Sequence, residues 1–478
     1  MMGRPSGRLS RRLSPLSPLA SIAPLTAFWR PSQGEMPVRA KMLRRLVVLA
    51  AAWLAAAVPT AARAATDIQL WHAMPGELGY QLDKLANDFN TSQRDYRVVP
   101  VFKGLYSETM LAALFAMRLR EHPAIVQVAE VATATMMAAK SAIIPVFELM
   151  RDEHEPFNPA DYLPAIAGYY ADIGGNMLSF PLNASTPILF YNKDQFRFAG
   201  LDAEQPPKTW LALEAAAEKL RAAGYACGFT THYPSWVNVE NFLAFHNLPV
   251  ATEANGMGGL DAELVIDHPA MVNHLGALTI WQKSGVFDYS GRTTRGERRF
   301  VARECAMFLG SSASRADFLA QANFEVGFGM LPYWPDVAGA PRNSIIGGGS
   351  LWVLRDRSDA EYKGAAKFFA YLSRADIQAA WHQANGYLPI TRAAYEATRA
   401  QGFYDKNPGA DISIKQITLN PPSDDTKSLR LGSYVTVRDI IEEEMEQALE
   451  GKKTAGAALK SAVSRGNVVL REFERTNR

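Results

Sequence analysis

From residue 66 onward the chain alternates two hydrophobic periods. Residues 68–71 read as a short strand, after which Leu78, Leu82, Leu85 and Phe89 recur at helical spacing. Residues 96–102 are β-branched and read as extended, Met110, Leu114 and Met117 mark a second helix, and 124–128 read as a third strand. An Ala- and Met-rich helix over 133–142 follows. This βαβαβα order predicts a mostly parallel sheet with helices on both faces. The pattern then restarts. Residues 187–191 read as a strand, and the turn Pro206-Pro207-Lys208-Thr209 leads into an Ala-rich helix over 210–223. Residues 227–230, 305–309 and 350–354 are further strands, the last behind a turn at Gly347-Gly348-Gly349. Residues 438–475 read as two helices split near Gly451. No repeat, low-complexity tract or Pro- and Ser-rich linker separates the two α/β halves. The chain is therefore expected to cross between two lobes more than once, as in a hinged clamshell.

The N-terminal segment has another character. Met42-Leu43-Arg44-Arg45 precedes thirteen unbroken apolar residues, 46–58, then Pro59 and the small-x-small signal Ala62-Arg63-Ala64. That is the layout of a secretory leader, with cleavage expected after Ala64. The apolar run falls short of the roughly 20 residues of a membrane span. Residues 1–41 are Arg-, Ser- and Pro-rich, and translation from Met36 or Met42 would leave most or all of them out. Within 1–64 there are ten Lys or Arg against one acid, so the remainder carries 40 basic and 47 acidic residues, a net charge near −7. A mildly acidic body is no partner for nucleic acid or an anionic membrane. The two cysteines, Cys227 and Cys305, both lie in the exported part. Export permits a disulfide between them, but they read as two buried thiols.

Motifs for catalysis and metal binding are absent. The eight histidines form no H-E-x-x-H or Cys/His set, and neither a G-x-S-x-G elbow nor a Walker A loop occurs. No cofactor is expected and no enzymatic step is supported.

Several stretches carry a family resemblance. They are WHAMPGELG at 71–79, QVAEVATATMM at 127–137, NASTPILFYNKD at 183–194, IIGGGSLW at 345–352, GYLPIT at 386–391 and QGFYDKNPGAD at 401–411. With them the chain from 65 to 478 resembles the glycerol-3-phosphate-binding proteins of bacterial ABC importers, within the extracellular solute-binding family that includes maltose-binding protein. The resemblance implies an α/β fold, a two-lobed type II periplasmic binding-protein clamshell with three hinge crossings, near 183–187, 311–314 and 372–376. The lobes would be 65–184 plus 314–374 and 185–313 plus 375–478. It also implies a periplasmic monomer that binds a small molecule and docks on a membrane permease. Carried over by motif, the ligand contacts are Tyr106, Glu130, Ser185, Ser311, Gly348, Tyr387 and Arg438. The aromatic wall comprises Trp236 and Tyr233, the latter where the family pattern has Trp.

Phosphate chemistry fits this set. Ser185, Ser311, Tyr106 and Tyr387 bring hydroxyl donors, Gly348 lets backbone amides approach, and Arg438 supplies a planar cation, with Arg430 its rival. Glu130 would repel phosphate and is expected at the opposite end, on the glycerol hydroxyls. A sugar-binding protein would instead stack several aromatics on sugar faces without needing a cation. A secreted phosphodiesterase or glycosidase would need metal ligands or a carboxylate pair.

Overall fold

The structure is a computed structural model and describes residues 64–478. The expected leader and start sites lie outside the described residues. Eleven strands form two sheets among the described residues. In chain order they are β1 (Thr66–His72), β2 (Tyr96–Phe102), β3 (Ile125–Ala129), β4 (Ile143–Ile144), β5 (Phe180–Ser185) and β6 (Pro187–Asn192). Then come β7 (Cys227–Thr231), β8 (Phe287–Asp288), β9 (Cys305–Ser311), β10 (Val326–Gly329) and β11 (Gly347–Leu354). The first sheet runs β2-β1-β3-β11-β4, with β5 also on β11, and the second runs β10-β6-β9-β7-β8.

Neither sheet is mostly parallel. β1, β2 and β3 are parallel, but β11 runs antiparallel to β3, β4 and β5. In the second sheet β7, β8 and β9 are parallel, while β6 is antiparallel to both β9 and β10. The parallel strands in each sheet are joined through helical crossovers. β6 and β11 enter from the other lobe, so no crossover sets their direction.

The first crossing is a single residue, Thr186, because Ser185 pairs with Gly347 of β11 while Pro187 pairs with Ser311 of β9. The other two crossings lie away from 311–314 and 372–376. After Ser311 the helix Ser314–Gln321 packs Phe318 with Phe190, Phe300 and Phe308, and β10 pairs with β6. Residues 314–329 thus stay with the second sheet, and the chain returns to the first only at 344–347. Past 376, Trp381 donates to Leu182 O at 3.0 Å and Leu388 N to Ala184 O at 2.7 Å, so 375–391 remain with the first sheet. Gly409 against Phe328 and Ile412 in the Phe190 cluster mark the return to the second sheet. The lobe boundaries expected at 314 and 375 move accordingly. One hydrogen-bonded knot ties all three passages. Thr186 Oγ1 lies 2.6 Å from Ser344 Oγ, and Gln416 Nε2 donates to Pro187 O at 2.8 Å and to Ser344 Oγ at 2.9 Å.

Two further expectations change. Cys227 and Cys305 are joined as a disulfide rather than held as free thiols. They face each other in the register of β7 and β9, a proximity that a separation of 78 residues conceals in sequence. The three glycines 347–349 do not make a turn but open β11. Gly348 has φ +113°, and a Cβ there would strike Asn183 O, so no other residue fits this crossing of strands.

Candidate functional site

Between the two sheets lies a cavity of about 640 Å³, and all nine residues singled out in sequence line it. The hinge strand builds its floor. Gln127 Nε2 donates to Asn183 Oδ1 at 2.7 Å, which turns the Asn183 amide outward. Asn183 Nδ2 then donates to Tyr106 OH at 2.8 Å and, less closely, to Tyr387 OH at 3.4 Å. Both hydroxyls therefore accept from below and keep their own protons for whatever enters the cavity. Burial, with Tyr387 and Glu130 nearby, raises the Tyr106 phenol well above its usual range. Tyr387 is raised too, chiefly by burial. Both stay protonated donors at neutral pH.

Ser185 ends β5 and Ser311 ends β9, so the two hinge strands each bring a serine to the cavity wall, and Ser311 Oγ accepts from Ala313 N–H at 3.2 Å. Ser311 N–H donates to His232 Nε2 at 2.7 Å, which leaves the imidazole proton on Nδ1, donating to Glu297 Oε1 at 2.9 Å. Ser314 Oγ holds the same Glu297 oxygen at 2.7 Å. The aromatic wall comes from one wide π-helical turn, Trp236–Glu240, entered through Tyr233 at φ +42°. Left-handed backbone at a non-glycine residue costs about 1–3 kcal/mol and is held only where surroundings enforce it. Ser433, also on the cavity wall, has φ +50° immediately before the helix Tyr434–Leu449, which carries Arg438.

Arg438 differs most from expectation. Its Nε and Nη2 form a bidentate pair with Glu240 at 2.8 and 2.7 Å, and Nη2 also reaches Glu130 Oε1 at 3.1 Å. Glu130 is therefore not at the opposite end from the cation but directly on it. Its other oxygen accepts Gly348 N–H at 3.1 Å, so that amide is turned to a carboxylate rather than to open cavity. Arg438 Nη1 is not used in these pairs. Burial pushes the Glu130 carboxyl up, Arg438 pulls it down and Glu240 pushes it up again. Glu442, one turn beyond Arg438, pairs with no cation by contact among the described residues. Burial lifts it to about 7 against the pull of Arg438 and Arg292. The rival cation, Arg430, lies outside the cavity and holds the carbonyls of Gly168, Tyr169 and Ala171.

Sequence reading missed Glu240, Glu442, Asn183 in its orienting role, and the His232–Glu297 pair. Glu240 does not line the cavity, and nothing between its neighbours Val239 and Asn241 marks it as the partner of Arg438. Glu442 stands in an acidic run that reads as solvated surface, and Asn183 was visible only as the first residue of a motif.

Comparison with known proteins agrees with this architecture. The profile of the bacterial extracellular solute-binding protein family matches residues 84–410. The sn-glycerol-3-phosphate-binding periplasmic protein UgpB of Yersinia enterocolitica is 48% identical over 418 residues, 87% of this chain and 95% of that protein. UgpB from Mycobacterium tuberculosis, solved in complex with glycerophosphocholine, superposes with a TM-score of 0.70 at 20% identity, covering 85% of this chain and 99% of that one. Maltose-bound MalE3 from T. maritima gives a TM-score of 0.69 at 19% identity, covering 84% of this chain and 100% of that one. At such identities the two structures speak for the fold alone, a type II periplasmic binding-protein fold. The chain belongs to the bacterial extracellular solute-binding protein family.

Proposed function

We propose that this chain is the periplasmic, substrate-capturing subunit of an ABC importer and that its substrate is sn-glycerol-3-phosphate or a glycerophosphodiester such as glycerophosphocholine. The observation that carries the reading is the convergence on one cavity of the seven motif-matched contacts and the two aromatic-wall residues, in a chain 48% identical to a glycerol-3-phosphate-binding relative. Tyr106, Tyr387, Ser185 and Ser311 offer hydroxyl protons to phosphate oxygens. Arg438, locked by Glu240, offers Nη1. Glu130 accepts from the glycerol hydroxyls next to the cation, so the phosphate and the adjacent carbon share one end of the cavity. Trp236 and Tyr233 face the carbon skeleton. The lobes, roughly 65–185 with 347–400 and 187–344 with 409–478, close about Thr186 and hand the loaded monomer to a membrane permease. No catalytic step, metal or cofactor is part of this reading. Export would leave Ala65 as the mature N-terminus.

One observation favours a second reading, a neutral polyol or sugar. Glu130 and Glu240 both pair with a single guanidinium, which suits hydroxyl groups better than a dianion. Calorimetric titration with glycerol-3-phosphate, glycerophosphocholine and maltose separates the two. Heat only with the phosphates supports the proposal, and heat only with maltose replaces it.

A further inference from the structure

The cavity wall holds more acid than base. Two guanidiniums reach it, Arg438 and Arg292, and each is already clamped by a carboxylate of its own. Arg438 has Glu240, with Glu130 added on Nη2. Arg292, just after β8, gives Nε and Nη2 to Glu446 at 2.8 and 2.5 Å. Both cations are therefore neutralised before Glu442 is counted. Glu442 lies on the same wall, is only 5% exposed, and makes no ion pair among the described residues. It is the surplus charge of the site, and an unpaired buried carboxylate is costly while ionised.

Its neighbours do not remove that cost. Arg438 and Asp439 face it from its own helix, Arg292 and Tyr289 from the segment after β8, and Tyr233 from the turn that also brings the Ser235 amide to it. Burial raises both phenols, so neither is an anion near neutral pH. Asp439 is exposed and screened by solvent. Burial lifts Glu442 itself to about 7. A phosphate set against Arg438 brings further negative charge to a wall that already carries this carboxylate. Like charges at close range disfavour joint ionisation, and the coupling is reciprocal: the ligand favours the protonated carboxyl, and the protonated carboxyl favours the ligand.

We propose that Glu442 sets the charge of the ligand this cavity accepts, because capture of an anionic phosphate takes up one proton onto the Glu442 carboxyl, which then donates to the ligand instead of repelling it. The proton comes from solvent and returns there when the ligand leaves. This rests on the glycerol phosphate reading above.

The test is calorimetric titration of the mature chain with glycerol-3-phosphate at pH 8, in Tris and in HEPES. The dependence of the heat on the buffer's own ionisation enthalpy counts the protons taken up. The free phosphate, with a second pKa of about 6, is a dianion there, and any proton it takes itself is common to wild type and variant. Wild type is expected to take up about one proton more per ligand than Glu442→Gln. At pH 8 about one wild-type chain in ten holds the proton beforehand, so Glu442→Gln should bind about tenfold tighter. The two should converge at pH 5.5. Equal proton counts overturn the proposal, as does an affinity ratio that is the same at both pH values. Proton uptake lost in Asp439→Asn but kept in Glu442→Gln also overturns it. Wild type alone supplies a test free of any folding defect: its affinity should weaken roughly tenfold from pH 8 to pH 9, and a flat profile refutes the proton step. No binding by either protein at pH 6 removes the glycerol phosphate reading and, with it, this proposal.

Discussion

Arg430 and Arg438 stand eight residues apart, yet they answer to different neighbours. Arg438 sits in the cavity wall against two carboxylates, Glu240 and Glu130. Arg430 lies half-buried against three backbone carbonyls at the C-terminal end of the helix Pro164–Tyr170, the negative end of its dipole. A cation paired with carboxylates is held at the edge of a site with a donor to spare. A cation on carbonyls staples backbone and has nothing to offer a ligand. What surrounds the guanidinium therefore assigns its work.

The sharpest way to break this contrast is Arg438→Ala. It strands Glu240 and Glu130, both nearly inaccessible, without their cation. Removing one partner of a buried pair costs about 3–5 kcal/mol of stability. Affinity for glycerol-3-phosphate should fall roughly 100-fold, equivalent to about 2.7 kcal/mol, or two hydrogen bonds to a charged group at the low end of their range. Chemical denaturation and calorimetry measure the two losses. Unchanged affinity would remove Arg438 from the ligand site, while Arg438→Lys should recover only part of it because an ammonium cannot make the planar fork.

Arg430→Ala should be destabilising in a different way. Losing a charged donor from three carbonyls costs about 3 kcal/mol, with affinity held within twofold. An affinity loss matching that of Arg438→Ala would erase the distinction.

Glu442 sharpens the electrostatic side. Its folded value, about 7, lies above the ordinary 4.5, so between those values the folded chain holds a proton that the unfolded chain releases. Stability must then fall as pH rises through this window, by at most about 3 kcal/mol. Glu442→Gln should flatten that slope in melts between pH 5 and 7. An identical slope in the variant would assign the pH dependence to another group.

The smallest effect expected is that of Asn183→Ala. Both tyrosine hydroxyls lose the donor that orients them, and affinity should drop about tenfold, near 1.4 kcal/mol, with little change in fold. No change would mean the tyrosines need no orientation from the hinge.

Much of this molecule was legible in its pattern. The strand at 96–102 emerges with the expected bounds and the helix at 210 with the expected start, since β-branched residues and the turn at 206–209 are local signals. The site residues were legible only through motifs, for a lone serine or glutamate carries no mark of its use. The crossings at 344–347 and between 391 and 409 were misplaced because nothing in local hydrophobicity distinguishes a strand of one sheet from a strand of the other. Phe318 and Trp381 look alike as core residues and are separated only by which core receives them.

By itself the sequence determined the α/β alternation, the two lobes without a linker, and the residue types that could meet an anionic polyol. Those follow from periodicity and side-chain chemistry, both properties of short stretches. The tertiary structure alone decided that Cys227 meets Cys305, that Glu130 lies on Arg438 rather than across from it, and that Glu240 locks the guanidinium. Each of these joins residues 78 to 308 positions apart. Such pairings are set by sheet order and by the crossing of chain between lobes, which no local pattern encodes.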